Sequence, residues 1–150
     1  MLSDEDYMQI ALQEAQKAYD LEEVPIGAVI VYQDKILAKA YNKKGLDNDV
    51  TSHAEILAIR EASKQLDSWR LNNCVMYVTL EPCPMCAGAI IQSRISKLVY
   101  AAKNFMYGSF GSILALQNHY PDARNIEIIE GIFSEEASLL MKNFFRKKII

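Results

Sequence analysis

The spacing of apolar positions changes several times along the chain, and each change marks an element. Met8, Ala11, Leu12, Ala15, Ala18 and Tyr19 recur at helical spacing, which predicts a helix over 4–20 with one face on a sheet. Ser3 followed by Asp6 resembles a capping box with Asp in place of Glu. Val24-Pro25-Ile26-Gly27 leads into a strand at 28–31. Gln33-Asp34-Lys35 then turns, and 36–41 returns as the second strand of a hairpin. The polar, Gly-containing segment 42–52 reads as a loop. Thr51 or Ser52 can cap a second helix that starts near His53 and runs to 66 on Ile56, Ile59 and Leu66, with Ala58 and Ala62. After a loop at 67–73, the apolar, β-favouring run 74–79 reads as a buried strand. It turns through Leu80–Pro82 into a third helix at 84–93. A strand at 97–102, a Gly-flanked aromatic loop at 103–111, a short helix at 112–117 and a loop at 118–125 broken by Pro121 follow. The alternating strand 126–130 and a last helix at 134–147, with Ser134 as its N-cap, complete the order.

The hairpin implies an antiparallel pair, and the later strand–helix–strand units imply parallel pairs with right-handed crossovers. The expectation is a three-layer α/β/α domain around a mixed five-stranded sheet. At 150 residues the chain is most simply one domain, 1–150. Hydrophobic residues make up 51% and charged residues 23%, so disorder is excluded. No apolar run reaches the length of a spanning helix. The acidic start lacks the basic residues of a secretion signal, which makes the cytoplasm the default location and no membrane the expectation.

The net charge of −3 argues against a nucleic-acid protein, but it is unevenly spread. Residues 1–23 carry −6, whereas 139–150 carry Lys142, Arg146, Lys147 and Lys148 with no acid. That basic end can touch phosphates, or it can be a solvated helix terminus whose cations suit the dipole.

The chemistry-bearing residues fall in two segments, His53-Ala54-Glu55 and Pro82-Cys83-Pro84-Met85-Cys86. Cysteines three apart at a helix start share one face, and the helix dipole favours their thiolates. Such a pair alone serves redox chemistry as readily as metal binding. His53 adds a third ligand from another helix start, and helix starts gather at strand ends in a sheet of this kind. Three protein ligands leave a zinc position open for water, the mark of a catalytic site. Glu55 is either a first-turn acid suited to the helix dipole or the general acid/base beside that opening. Cys74 reads as a core residue and His119 as a surface or turn histidine.

The combination His-x-Glu with Pro-Cys-x-x-Cys resembles the zinc nucleobase deaminases. The segments Val24–Val31, Asn42, Thr79–Cys83, Cys86–Ile90 and Asn143–Arg146 extend the likeness to bacterial tRNA-specific adenosine deaminases over nearly the whole chain. That resemblance implies a cytidine deaminase-like fold, a homodimer, and hydrolysis of the wobble adenosine of a tRNA, typically an arginine tRNA, to inosine. His53, Cys83 and Cys86 would hold one Zn²⁺ per subunit. Glu55 would take a proton from the zinc water and deliver protons to the ring nitrogen and the leaving ammonia. Asn42 would orient the flipped-out base, unless it is only a turn residue, and the backbone around Ala54 would line the pocket. Lys103, Asn104, Phe144, Phe145 and Arg146 would contact the anticodon stem-loop by stacking and by charge, with core packing the alternative for one of the two phenylalanines. Many members of the family carry an acid where this chain has Asn104.

Two other enzyme readings share the metal pair: a deaminase of free guanine or cytosine, and a thiol redox module. A non-catalytic RNA-binding subunit is a fourth reading, which the retained Glu55 disfavours.

Overall fold

A computed structural model of the chain describes all residues except Arg124 and Ile150, and the backbone alone of Ile149. Its helices are α1 (Asp4–Asp20), α2 (Ala54–Leu66), α3 (Pro84–Gln92) and α4 (Ser134–Ile149). Its strands are β1 (Gly27–Tyr32), β2 (Lys35–Tyr41), β3 (Cys74–Leu80), β4 (Lys97–Ala102) and β5 (Glu127–Glu130). They form one sheet in the order β2-β1-β3-β4-β5. β1 is antiparallel to both β2 and β3, while β3–β4 and β4–β5 are parallel. β2 and β5 are the outer strands, each paired on one side only.

Alternation along the strands builds two cores. Ala28 and Ile30 of β1, Met76 and Val78 of β3, and Leu98 and Tyr100 of β4 pack with Ala54, Ala58 and Ala62 of α2 and Ala87, Ile90 and Ile91 of α3. The intervening Val29, Val31, Tyr77, Val99 and Ala101 pack on the other face with Tyr7, Met8 and Ala11 of α1 and Ala137 of α4. Side chains of a strand alternate between faces, so both faces of the central strands are apolar and covered, and the layers are α/β/α. α1 comes so close to β1 that a Cβ on Gly27 would lie 2.6 Å from the Ala15 nitrogen, which leaves room only for glycine.

The predicted capping box is present: the Asp6 N–H donates to Ser3 Oγ and the Ser3 N–H donates to Asp6 Oδ2. Other boundaries differ from expectation. The β1–β2 turn is two residues, Gln33 and Asp34, both at positive φ, because Lys35 already pairs with Tyr32. His53, not Thr51 or Ser52, occupies the N-cap of α2. Ser134 is the first helical residue of α4, and the Ala137 N–H donates to the carbonyl of Phe133 before it. The expected helix at 112–117 is replaced by a bridge between Phe110 and Ala115 and a 3₁₀ turn at Leu116–Asn118. A second 3₁₀ turn, Pro121–Ala123, lies in the segment expected to be loop.

Candidate active site

β2 and β3 run in the same direction, since each is antiparallel to β1, so α2 and α3 begin at the same end of the sheet. His53 is the N-cap of α2 and Cys83 the N-cap of α3. Neither side chain makes a capping hydrogen bond, so both are left to face each other. Pro84 follows Cys83 at the first helical position, where its missing N–H costs nothing. Cys86, one turn on, is fully buried.

His53 Nδ1 lies 3.7 Å from Cys83 Sγ and 3.4 Å from Cys86 Sγ. Tetrahedral zinc with ordinary Zn–N and Zn–S lengths separates such atoms by about 3.6 Å. The donor set therefore fits zinc in both spacing and softness. Among the described residues, these three form a group able to hold a metal ion. Cys74 is buried in β3, and the apolar surroundings push its thiol up to about 11, as a core residue requires. A hydrogen bond from Cys86, with burial opposing it and a bond from His53 assisting, holds the Cys83 thiol down to about 4. The same Cys83–Cys86 bond, together with burial, pushes Cys86 well above the usual thiol range. The bond to Cys83 raises His53, against burial. The shared bond thus favours a thiolate at Cys83, and a divalent cation held by the three residues would favour thiolates at both cysteines.

Glu55, in the first turn of α2, is 4% exposed, and its Oε1 has no hydrogen-bond partner. Burial raises its carboxyl to about 7; a hydrogen bond from its own backbone opposes the rise and the Cys83 charge adds to it. A buried carboxylate with one oxygen unpartnered and poised near neutrality is suited to carrying a proton.

His53, Glu55 and Cys83 line a cavity of about 250 Å³ with Asn42, Lys44, Ala54, Leu80, Asn104, Met106, Tyr107, Met141 and Phe145. Asn42 is buried; its amide N–H donates to the Val24 carbonyl, and its Oδ1 accepts from the Lys44 N–H. It is therefore both a turn residue and a lining residue. The cavity adjoins a groove of about 670 Å³ bordered by Lys103, Asn104, Phe105, Met106, Lys142, Phe145 and Arg146. Lys103 also lies 3.8 Å from Glu130, both half-exposed. The expected pairing of Phe144 with the substrate is corrected. Phe144 is 5% exposed and packs edge-on against Tyr19 of α1, whereas Phe145 is 47% exposed and lines both spaces. His119 lies just past a 3₁₀ turn, away from the cluster.

Lys44, Met141 and Glu81 are among the lining residues that escaped the sequence reading. Lys44 stands two residues beyond Asn42, and Met141 one helical turn before Phe145, so both could have been placed from neighbours already singled out. Glu81 adjoins the cysteine motif but carries no metal-ligand spacing.

Residues 2–148 match the model of the MafB19-like deaminase family, so fold and site together define a deaminase. The tRNA-specific adenosine deaminase of Bacillus subtilis (strain 168) is 42% identical over 147 residues, covering 98% of this chain and 91% of that one. A solved structure of a deaminase that performs A-to-I editing at the wobble position of transfer RNA superposes with a TM-score of 0.85 at 38% identity, covering 90% of this chain and 98% of the other. A guanine deaminase from Bacillus subtilis superposes less fully, with a TM-score of 0.65 at 38% identity over 68% of this chain and 66% of that one. The chain belongs to the tRNA-specific adenosine deaminase family.

Proposed function

We propose that this protein hydrolyses the wobble adenosine of a tRNA anticodon loop to inosine, using one zinc ion per subunit. The observation that carries the proposal is the pairing of a small cavity, lined by Glu55 with its unpartnered Oε1 and by His53 and Cys83 of the His53/Cys83/Cys86 cluster, with an aromatic and basic groove at its mouth. The cavity, at about 250 Å³, is smaller than most whole-ligand sites and suits one base; the groove suits the strand from which the base is turned out.

His53, Cys83 and Cys86 would hold the zinc, which when bound supplies an acidified water. Glu55 Oε1 accepts a proton and returns it to the base, a task that a pKa of about 7 fits. Asn42 orients the base through the amide hydrogen not used on Val24, and the backbone at Ala54 lines the base pocket. Phe145 stacks on a neighbouring base, while Lys103, Asn104 and Arg146 face the strand's phosphates. Phe144 holds α4 against α1 so that Phe145 stays exposed.

The family match over residues 2–148 supports one deaminase domain. No helix among the described residues is long and apolar enough to cross a membrane, and a tRNA substrate supports a cytoplasmic location. A homodimer acting on an arginine tRNA completes the reading.

The base-sized cavity also suits a free nucleobase, so the test sets the two substrates side by side. Zinc-loaded protein is incubated with bulk tRNA, which is then sequenced for inosine, while free adenine, guanine and cytosine are assayed for ammonia release. Inosine at the wobble position of one tRNA, with no turnover of free bases, is expected. Ammonia from a free base without inosine in tRNA overturns the proposal.

A further inference from the structure

Two buried carboxylates take no part in the proposed chemistry, and each grips a loop at the mouth of the cavity. Glu23, 8% exposed, accepts from the backbone N–H groups of Gly45 and Leu46, in the loop that carries Lys44. A Cβ on Gly45 would lie 2.9 Å from Glu23 Oε2. Glu81, 1% exposed, is gripped more completely. Its Oε1 accepts from the Asn104 N–H at 3.2 Å and from the Ser112 hydroxyl. Its Oε2 accepts from the N–H groups of Phe110 at 3.0 Å and Ser112 at 3.1 Å. A Cβ on Gly108 would lie 2.6 Å from the same carboxylate. All four donors belong to one loop, and that loop presents Phe105, Met106 and Tyr107 at 77%, 74% and 60% exposure. Asn104 tightens the tip, its Oδ1 accepting from the N–H groups of Met106 and Tyr107.

Three consecutive apolar side chains in solvent contribute nothing to the core, yet their backbone is fixed by a buried charge. A loop held in its bound form before it meets a partner avoids the ordering cost at the moment of binding. We propose that Glu81 is a positioning residue for RNA: its carboxylate fixes the 104–112 loop so that Phe105, Met106 and Tyr107 stand at the cavity mouth as a preformed platform for an unstacked nucleotide. Glu81 is also two residues from Cys83, so the platform is set in register with the metal cluster through one short stretch of chain. This inference rests on the tRNA reading above.

The test measures binding and turnover of a fluorescein-labelled anticodon stem-loop RNA with adenosine at the wobble position, using zinc-loaded wild type, Glu81→Gln and Glu81→Asp. Zinc content and hydrogen exchange of the loop amides are measured on the same samples. Glu81→Gln should raise KM and the stem-loop Kd by about tenfold, lower kcat by less, retain zinc, and speed exchange at Asn104, Phe110 and Ser112. Glu81→Asp should recover part of the affinity. Should Glu81→Gln fail to fold, Ser112→Ala removes one donor alone and should raise KM by about threefold. Faster loop exchange with unchanged KM and Kd overturns the inference, as does loss of zinc or kcat with unchanged affinity. A wild-type chain that neither binds nor deaminates the stem-loop overturns the proposed activity itself, and with it this inference.

Discussion

Glu55 and Glu81 are both buried glutamates beside the same cavity, and they are treated in opposite ways. Glu81 has two donors on each oxygen and no proton-carrying role in the proposed chemistry. Glu55 has an oxygen with no partner at all. A buried carboxylate costs several kcal/mol of lost hydration unless hydrogen bonds replace the water. At Glu81 the loop amides make that replacement, so the charge contributes to structure. At Glu55 the cost is left standing, and the group sits near neutrality, where it can gain or lose a proton. Completeness of hydrogen bonding, more than burial, separates the architectural acid from the reactive one.

Substitutions at the two sites should therefore part in what they change, turnover at one and stability at the other. Glu55→Gln should lower deamination by about 10²–10⁴-fold, the range of a general acid–base group, while zinc content and Tm are retained. Undiminished turnover in that variant would remove Glu55 from the chemistry. Glu81→Gln should, beside its effect on RNA affinity, lower stability by about 3 kcal/mol in a denaturant titration, since bonds to a charged acceptor are lost and an amide N–H is set against amide N–H groups. Equal destabilisation by the two changes would erase the contrast. Gly108→Ala presses a methyl onto the Asn104 carbonyl as well as the Glu81 carboxyl and should cost about 1–3 kcal/mol in the same titration, a loss that shortening Glu81 to Asp does not remove because the backbone contact stays.

The smallest effect is expected at Asp4. Burial raises its carboxyl, but hydrogen bonds from Tyr77 and Lys97 outweigh burial and hold it below the ordinary 3.8. A depressed folded-state pKa gives stability that is present above the unfolded value and lost as pH falls through the folded one. Asp4→Asn should thus flatten the acid limb of the stability profile below about pH 4, and lower stability at pH 7 by at most about 1 kcal/mol, given its partial exposure. An unchanged acid limb would show that these bonds add nothing.

Much of this arrangement was legible in the residues. Ser3 and Asp6 announced the first helix, strand–helix–strand order announced the parallel half of the sheet, and His53, Glu55, Cys83 and Cys86 stood at spacings that only a few chemistries use. What stayed hidden depended on partners distant in sequence. Segment 112–117 has a locally helical composition, but Glu81 takes the Ser112 N–H and the Gly108 carbonyl takes those of Ile113 and Leu114, so it closes as a bridged turn. Phe144 and Phe145 are adjacent, and nothing local says which faces inward; Tyr19, far upstream, decides it. Thr51 and Ser52 are ordinary caps, yet His53 holds the cap position of α2, which places its imidazole beside Cys83.

The two outer strands of the sheet bear on how the protein behaves in a crowded solution. An unpaired strand edge is a template for further pairing, and proteins blunt it with charge and shortness. β2 sets exposed Lys35 and Lys39 along its length, and β5 is four residues long with exposed Glu127 and Glu130 at its ends. Like edges of two molecules repel each other, lysine against lysine and glutamate against glutamate. The charges on both outer strands therefore disfavour a sixth strand from another molecule, and the sheet stops at five.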